Sequence, residues 1–210
     1  MGRALKAGAA SALLAGTAHA EPVTVLALGD SLTAGYGLPA AEGFVPVLQA
    51  WLEAQGVEAE IVNAGVSGDT TAGGLSRFEW SLTPEVDAVI VALGGNDFLR
   101  GLDPALAREN LHGILEIAGE NGLPALLVGI DASPNYGPAY EEAFDGMYPA
   151  LAEEHGALLE PDWFAALSEM GRDEGRRFMQ PDGIHPSAEG VELIVERLGP
   201  RVVELIERVE

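Results

Sequence analysis

The chain has no cysteine in 210 residues. No disulfide can brace it and no thiolate can hold a metal, so buried apolar side chains must stabilise the fold. Basic residues are scarce: Lys and Arg total 11 against 33 Asp and Glu, a formal charge of −22. A surface of that sign repels phosphate backbones and anionic lipid, which excludes nucleic acid as an expected partner. Solubility, including solubility in a salty medium, accounts for the charge without an acidic-partner role. Also missing is any apolar run of the roughly 20 residues that a transmembrane helix needs.

What is present begins with a leader. Arg3 and Lys6 precede an alanine- and leucine-rich stretch, Ala7 to Ala15, and Ala18-His19-Ala20 follows. This is the pattern of a secretory signal peptide over residues 1–20, cut between Ala20 and Glu21; the plainer alternative is a disordered or amphipathic leader. With no cysteine after the cut there is nothing to lipidate. The mature chain is therefore expected to be exported to the periplasm, soluble, without a stable membrane anchor, and monomeric. Losing the leader removes two positive charges and no acid, leaving 9 basic against 33 acidic residues, or −24. With 48% hydrophobic content, residues 21–210 suit one domain with a substantial core.

Within that domain Val23 to Leu28, apolar apart from Thr24, reads as a strand covered on both faces. It stops at Gly29-Asp30-Ser31, delivering a hydroxyl to a turn. Phe44, Val47, Leu48, Trp51 and Leu52 repeat at helical spacing. Glu58 to Asn63 alternates like an edge strand, and Asn63 to Thr70 reads as a loop. A weak helix over Thr71–Leu82 precedes an apolar strand, Val86 to Leu93, that ends in Gly94-Gly95-Asn96-Asp97. Asp103-Pro104 signals a helix start, Ala125 to Ile130 the next strand, and Tyr140 to Leu151 a further helix ending at His155-Gly156. Ala157 to Leu159 is a brief last strand. Beyond it Asp162 to Met170 reads as helix, Gly171 to Arg177 as exposed loop and Gln180 to Ser187 as turns. A helical tail starts at Ala188, which Pro200 is expected to kink or split. Strands alternating with helices predict an α/β fold: a three-layer α/β/α sandwich on a parallel sheet of about five strands.

Four loops carry polar residues in tight glycine settings, and each taken alone reads first as a plain turn or helix cap. Together they supply a hydrolase. A serine hydroxyl needs a base, and His112, His155 and His185 are the imidazoles outside the leader. The first lies within a helical run and the second in a helix's last turn. His185 alone sits in a rigid turn beside an acid, where Asp182 can accept from Nδ1 and leave Nε2 facing Ser31. The N–H groups of Ser31 and Gly68 and the amide of Asn96 would share one sheet edge, as oxyanion donors worth about 2.7–4 kcal/mol each. Phe98, Leu99, Tyr136, Phe178, Met179 and Ile184 lie near these loops and are candidates for an apolar substrate groove, although each would be equally ordinary in a core. An ordinary α/β-hydrolase elbow is absent, because Gly65-Val66-Ser67-Gly68 is followed by Asp69 and not glycine.

The four blocks resemble those of the SGNH, or GDSL, serine hydrolases in order, through Ser31, Gly68, Asn96 and His185. The resemblance covers nearly the whole mature chain. Within the family it is nearest the bacterial exported thioesterase, lysophospholipase and arylesterase group, through GDSLTAGYGL at 29–38, NAGVSGDTTAGG at 63–74, GGND at 94–97, RG at 100–101, PNYG at 134–137 and QPDGIHP at 180–186. It implies a flavodoxin-like fold, a Ser31–His185–Asp182 triad, an oxyanion hole from Ser31, Gly68 and Asn96, and no metal or organic cofactor. The implied partner is a small-molecule acyl ester or thioester. Phe98 and Asp131 depart from the group's pattern in the acyl-binding loops. The alternatives are a carbohydrate O-acetyl esterase and a catalytically inactive flavodoxin-like binding module.

Overall fold

The computed structural model describes residues 22–209; the leader and its cleavage site lie outside the described residues. Strand β1 (Val23–Gly29) is the hub of a five-stranded, wholly parallel sheet with β2 (Ala59–Gly65), β3 (Ala88–Ala92), β4 (Ala125–Val128) and β5 (Leu158–Glu160), in the order β2-β1-β3-β4-β5. Residue Gly29 closes two ladders at once, opposite Gly65 on one side and Ala92 on the other.

Side chains alternate across a strand, so a strand buried on both faces feeds two cores. Val25 and Ala27, with Ile90, Leu126 and Val128, face α2 (Phe44–Ala54) and α9 (Ala188–Ile206). Leu26 and Leu28, with Val89, Val91 and Leu127, face α3 (Thr71–Ser81), α5 (Pro104–Glu120) and α6 (Pro138–His155). The expected three-layer α/β/α sandwich is the observed one. Asp103 caps α5 by accepting from the Ala105 N–H at 2.9 Å, with Pro104 behind it, as its sequence signature requires.

Several boundaries differ from the sequence reading, each for a tertiary reason. Strand β2 is an edge strand but runs on to Gly65 through residues expected in a loop, because β1 offers it a ladder to its end. Gly65 must be glycine there: a Cβ would overlap the backbone of Ala34. Strand β3 starts at Ala88 and not Val86, which is held in a turn on Thr83. Strand β4 ends at Val128, two residues early. The Asp162–Met170 helix shrinks to α7 (Ala165–Ser168), and the expected loop at 171–177 is instead α8 (Arg172–Gly175) followed by a 3-10 turn (Arg176–Phe178). Helix α9 is not split at Pro200, since its buried stripe of Ile194, Val195 and Leu198 continues beyond the proline in Val202 and Leu205.

Candidate active site

In this strand order β1 and β3 are adjacent while their following crossovers leave in opposite directions, which opens a crevice beyond their carboxyl ends. Asp30 leaves β1 and caps the short helix α1 (Ser31–Ala34), its Oδ1 accepting from the Leu32 N–H at 3.0 Å. Ser31 is thus the first helical residue, and its own N–H is one of those that a helix start leaves without an intrahelical partner. Beyond β3, Gly94 adopts φ 122°, where a Cβ would also overlap the Tyr148 hydroxyl, and turns the chain into α4 (Gly95–Leu99) with Asn96 near its start.

The third contribution comes from far along the chain. Asp182 opens a turn in which its Oδ1 accepts from the N–H groups of Ile184 and His185 at 2.9 and 3.0 Å. Its Oδ2 lies 2.7 Å from His185 Nδ1, and His185 Nε2 lies 2.9 Å from Ser31 Oγ. The hydrogen bond from His185, aided by those two backbone N–H groups, lowers the Asp182 carboxyl to about 2. Gln180 fastens this turn to the serine's own loop: its Nε2 donates to the carbonyls of Tyr36 and Pro186 at 2.8 and 2.9 Å. The Tyr36 ring packs on the imidazole, centroids 4.7 Å apart.

Of the other two expected oxyanion donors, Gly68 sits in a turn at φ 84° and Asn96 projects its amide toward Asp30. Asn96 Nδ2 donates to Asp30 Oδ2 at 3.2 Å, leaving its second N–H available. Asp30 is buried, and burial raises its carboxyl from 3.8 to about 6 against the pull of the Leu32 N–H and Asn96. Asp30 thus caps α1 with one carboxylate oxygen and holds the Asn96 amide with the other, a contact that sequence reasoning missed.

The loops themselves are tied together by residues that sequence reading had left as caps or had not singled out. Buried Asp97 accepts from the Thr71 N–H and Oγ1 at 2.8 and 2.7 Å, joining the α4 turn to the end of the Gly68 loop. Arg77, on α3, donates to Gly29 O, Ala64 O and Asp69 Oδ2 at 2.9, 2.8 and 2.7 Å, clamping the ends of β1 and β2. Arg100 donates to Gly68 O at 2.6 Å.

Beside Ser31 lies a cleft of about 270 Å³. Four of the six candidate groove residues, Phe98, Leu99, Met179 and Ile184, line it, with Leu32, Ile130, Phe164 and Asp131. Tyr136 stands one ring behind, edge-on to Phe98 at 5.8 Å, and Phe178 packs against the core under α9. Burial, reinforced by Asp162, Asp145 and Glu141, raises the Asp131 carboxyl.

The sheet order, with a serine at its switch point and a histidine within reach, defines an SGNH-type hydrolase fold. The chain belongs to the GDSL-like lipase/acylhydrolase family, whose model matches residues 27–193, and it is a carboxylic ester hydrolase. It is 40% identical over 205 residues to Esterase TesA of Pseudomonas aeruginosa, covering 97% of this chain and 100% of that one. It is 34% identical over 184 residues to Thioesterase 1/protease 1/lysophospholipase L1 of Escherichia coli, covering 87% and 85%. The crystal structure of AlinE4, an SGNH-hydrolase family esterase, superimposes with a TM-score of 0.73 at 45% identity, covering 89% of this chain and 97% of that one.

Proposed function

We propose that the protein hydrolyses acyl esters and thioesters through an acyl-Ser31 intermediate, and that residues 21–210 form one exported domain once the leader is cut. The observation that carries the catalytic reading is the continuous relay Ser31 Oγ, His185 Nε2, His185 Nδ1, Asp182 Oδ2 at 2.9 and 2.7 Å beside an apolar cleft. His185 takes the serine proton as Oγ attacks the acyl carbon. The carbonyl oxygen becomes an oxyanion among the N–H groups of Ser31, Gly68 and the Asn96 amide. His185 then gives its proton to the leaving oxygen or sulfur, and next activates the water that frees Ser31. Asp182 holds the imidazole in the tautomer that this requires.

The names of the relatives, which include an esterase and a thioesterase/lysophospholipase, support both leaving groups. A cleft of about 270 Å³ is below the ~300–1,000 Å³ of pockets for drug-sized ligands, and an acid lines it. Both features favour short acyl chains and keep a carbohydrate O-acetyl esterase as the second reading. A fluorophosphonate probe and a p-nitrophenyl ester panel test this. The probe is expected to label wild type and not Ser31→Ala; equal labelling of both, or of neither, removes Ser31 as the nucleophile. Hydrolysis confined to acetate would move the assignment to an O-acetyl esterase. N-terminal sequencing of the exported fraction tests the leader, and is expected to begin at Glu21.

A further inference from the structure

Among the described residues, the two histidines that the relay does not use, 43 residues apart in sequence, face each other. His112 lies midway along α5 and His155 ends α6, and His112 Nδ1 is 2.9 Å from His155 Nε2. Glu154 joins them: its Oε1 is 3.3 Å from His112 Nδ1, while its Oε2 takes the Arg108 guanidinium at 2.6 Å. The three donor atoms all lie within 4.8 Å of one another. From this geometry we propose that His112, Glu154 and His155 form a binding site for one borderline divalent transition-metal cation, of which Zn²⁺ is the representative.

Donor chemistry and spacing carry the proposal. Two imidazoles and a carboxylate are a ligand set for zinc, which bonds nitrogen and oxygen at ~2.0–2.2 Å in a tetrahedron. Ligand atoms at that radius are separated by about 3.3 Å. The Glu154-to-His112 distance already matches at 3.3 Å, the imidazole pair at 2.9 Å has to open by a few tenths of an ångström, and Glu154 and His155, within 4.8 Å, complete the triangle by side-chain rotation. The three would occupy one face of the tetrahedron and leave the fourth position to water. In the metal-free pair one ring nitrogen donates a hydrogen to the other; the cation replaces that hydrogen, which leaves as a proton. Arg108 engages the other carboxylate oxygen, so it fixes the glutamate without taking the coordinating atom. Access is open, since the His112 and Glu154 side chains are 36% and 42% exposed.

The site is remote from the catalytic cleft. Helix α6 runs from the carboxyl end of the sheet to its amino end, where His155 precedes β5. The metal would therefore cross-link α5 and α6 and add no step to hydrolysis. This proposal does not rest on the esterase reading.

Isothermal titration of the chelator-treated full chain with zinc chloride is the test, with thermal melts alongside. Wild type is expected to bind one equivalent at micromolar Kd and to melt higher as zinc is raised. His185→Ala should keep that equivalent, because the relay is a separate pair. His112→Ala with His155→Ala should lose it, and Glu154→Gln should weaken it about tenfold or more. Circular dichroism checks that the double variant is folded; if it is not, either single alanine variant gives the same reading. Absence of binding by wild type, equal binding by the double variant, or loss of the equivalent only in His185→Ala each overturns the site.

Discussion

At the scale of single residues the instructive pair is Asp30 and Asp182, two carboxylates flanking one serine with opposite electrostatics. Asp182 is exposed, and its hydrogen bond from His185 holds it at about 2. The stability it lends is present above the ordinary 3.8 and is lost as pH falls through about 2. Replacing it by Asn preserves the fold but presents an amide to Nδ1 and favours the wrong imidazole tautomer. In the proposed mechanism kcat/KM for p-nitrophenyl acetate should fall by about 10³–10⁴ with the melting temperature little changed. Asp30 works the other way. Burial raises it to about 6, so the folded protein holds a proton that the unfolded chain has released, and stability declines as pH rises from 3.8 through about 6. The fully developed cost is about 3 kcal/mol at ~1.36 kcal/mol per pH unit. Asn at position 30 still caps α1, yet it turns an amide toward Asn96 and disturbs a proposed oxyanion donor. Asp30→Asn should therefore gain stability over wild type between pH 4 and pH 8 in urea denaturation. In the same variant kcat should drop about 10–100-fold with KM nearly unchanged. A fall in KM-controlled binding alone would place Asp30 outside the oxyanion geometry.

At the scale of elements, α3 shows how a helix can set a site it does not contribute to. Arg77 on that helix gathers the last carbonyls of β1 and β2 and the Asp69 carboxylate, so the strand ends that launch Ser31 and the Gly68 loop are held by one guanidinium. Arg77→Met should leave these groups unpaired in a partly buried place and destabilise by roughly 2–4 kcal/mol, read as a lower urea midpoint at constant m. Arg77→Lys should recover little, since a single ammonium cannot reach three acceptors in fork geometry. No local pattern shows such a role, because Arg77 and Gly29 are 48 residues apart and meet only through the sheet order. Legibility in this chain follows that distinction. The strands and long helices could be read because alternation and helical spacing are local, and the Asp182–His185 unit because three residues and a proline-bounded turn contain it. The contacts of Asp30 with Asn96 and of His112 with His155 span 66 and 43 residues and carry no periodic signal. Boundaries failed where a neighbour decided the outcome: β1 prolonged β2 to Gly65, and the stripe under α9 carried the helix through Pro200.

At the scale of the whole molecule the dominant quantity is charge. Lys6 is the single lysine, and together with ten arginines it offsets only a third of the 33 acids, which leaves −22 over 210 residues. Several of the arginines already sit in exposed pairs, such as Arg177 with Glu174 and Arg201 with Glu204, each worth ~0–1 kcal/mol. Added salt weakens those pairs slightly but screens the repulsion among all the remaining acids, so the second effect wins. Raising NaCl from ~0.01 to ~1 M shortens the Debye length from ~30 to ~3 Å and should raise the melting temperature, by roughly 2–4 °C for each kcal/mol of repulsion removed. Substrate charge then separates surface electrostatics from chemistry. A neutral p-nitrophenyl ester feels no long-range field, so its kcat/KM should vary little with salt. An acyl-CoA thioester carries phosphates toward an acidic surface, on which Arg100 beside Gly68 is one of few basic groups. Its kcat/KM should climb with salt through a falling KM while kcat stays constant. Steady-state assays of both substrates across one salt series check this, and a thioester KM that rises with salt would mean that the mouth of the cleft attracts anions despite the charge of the chain.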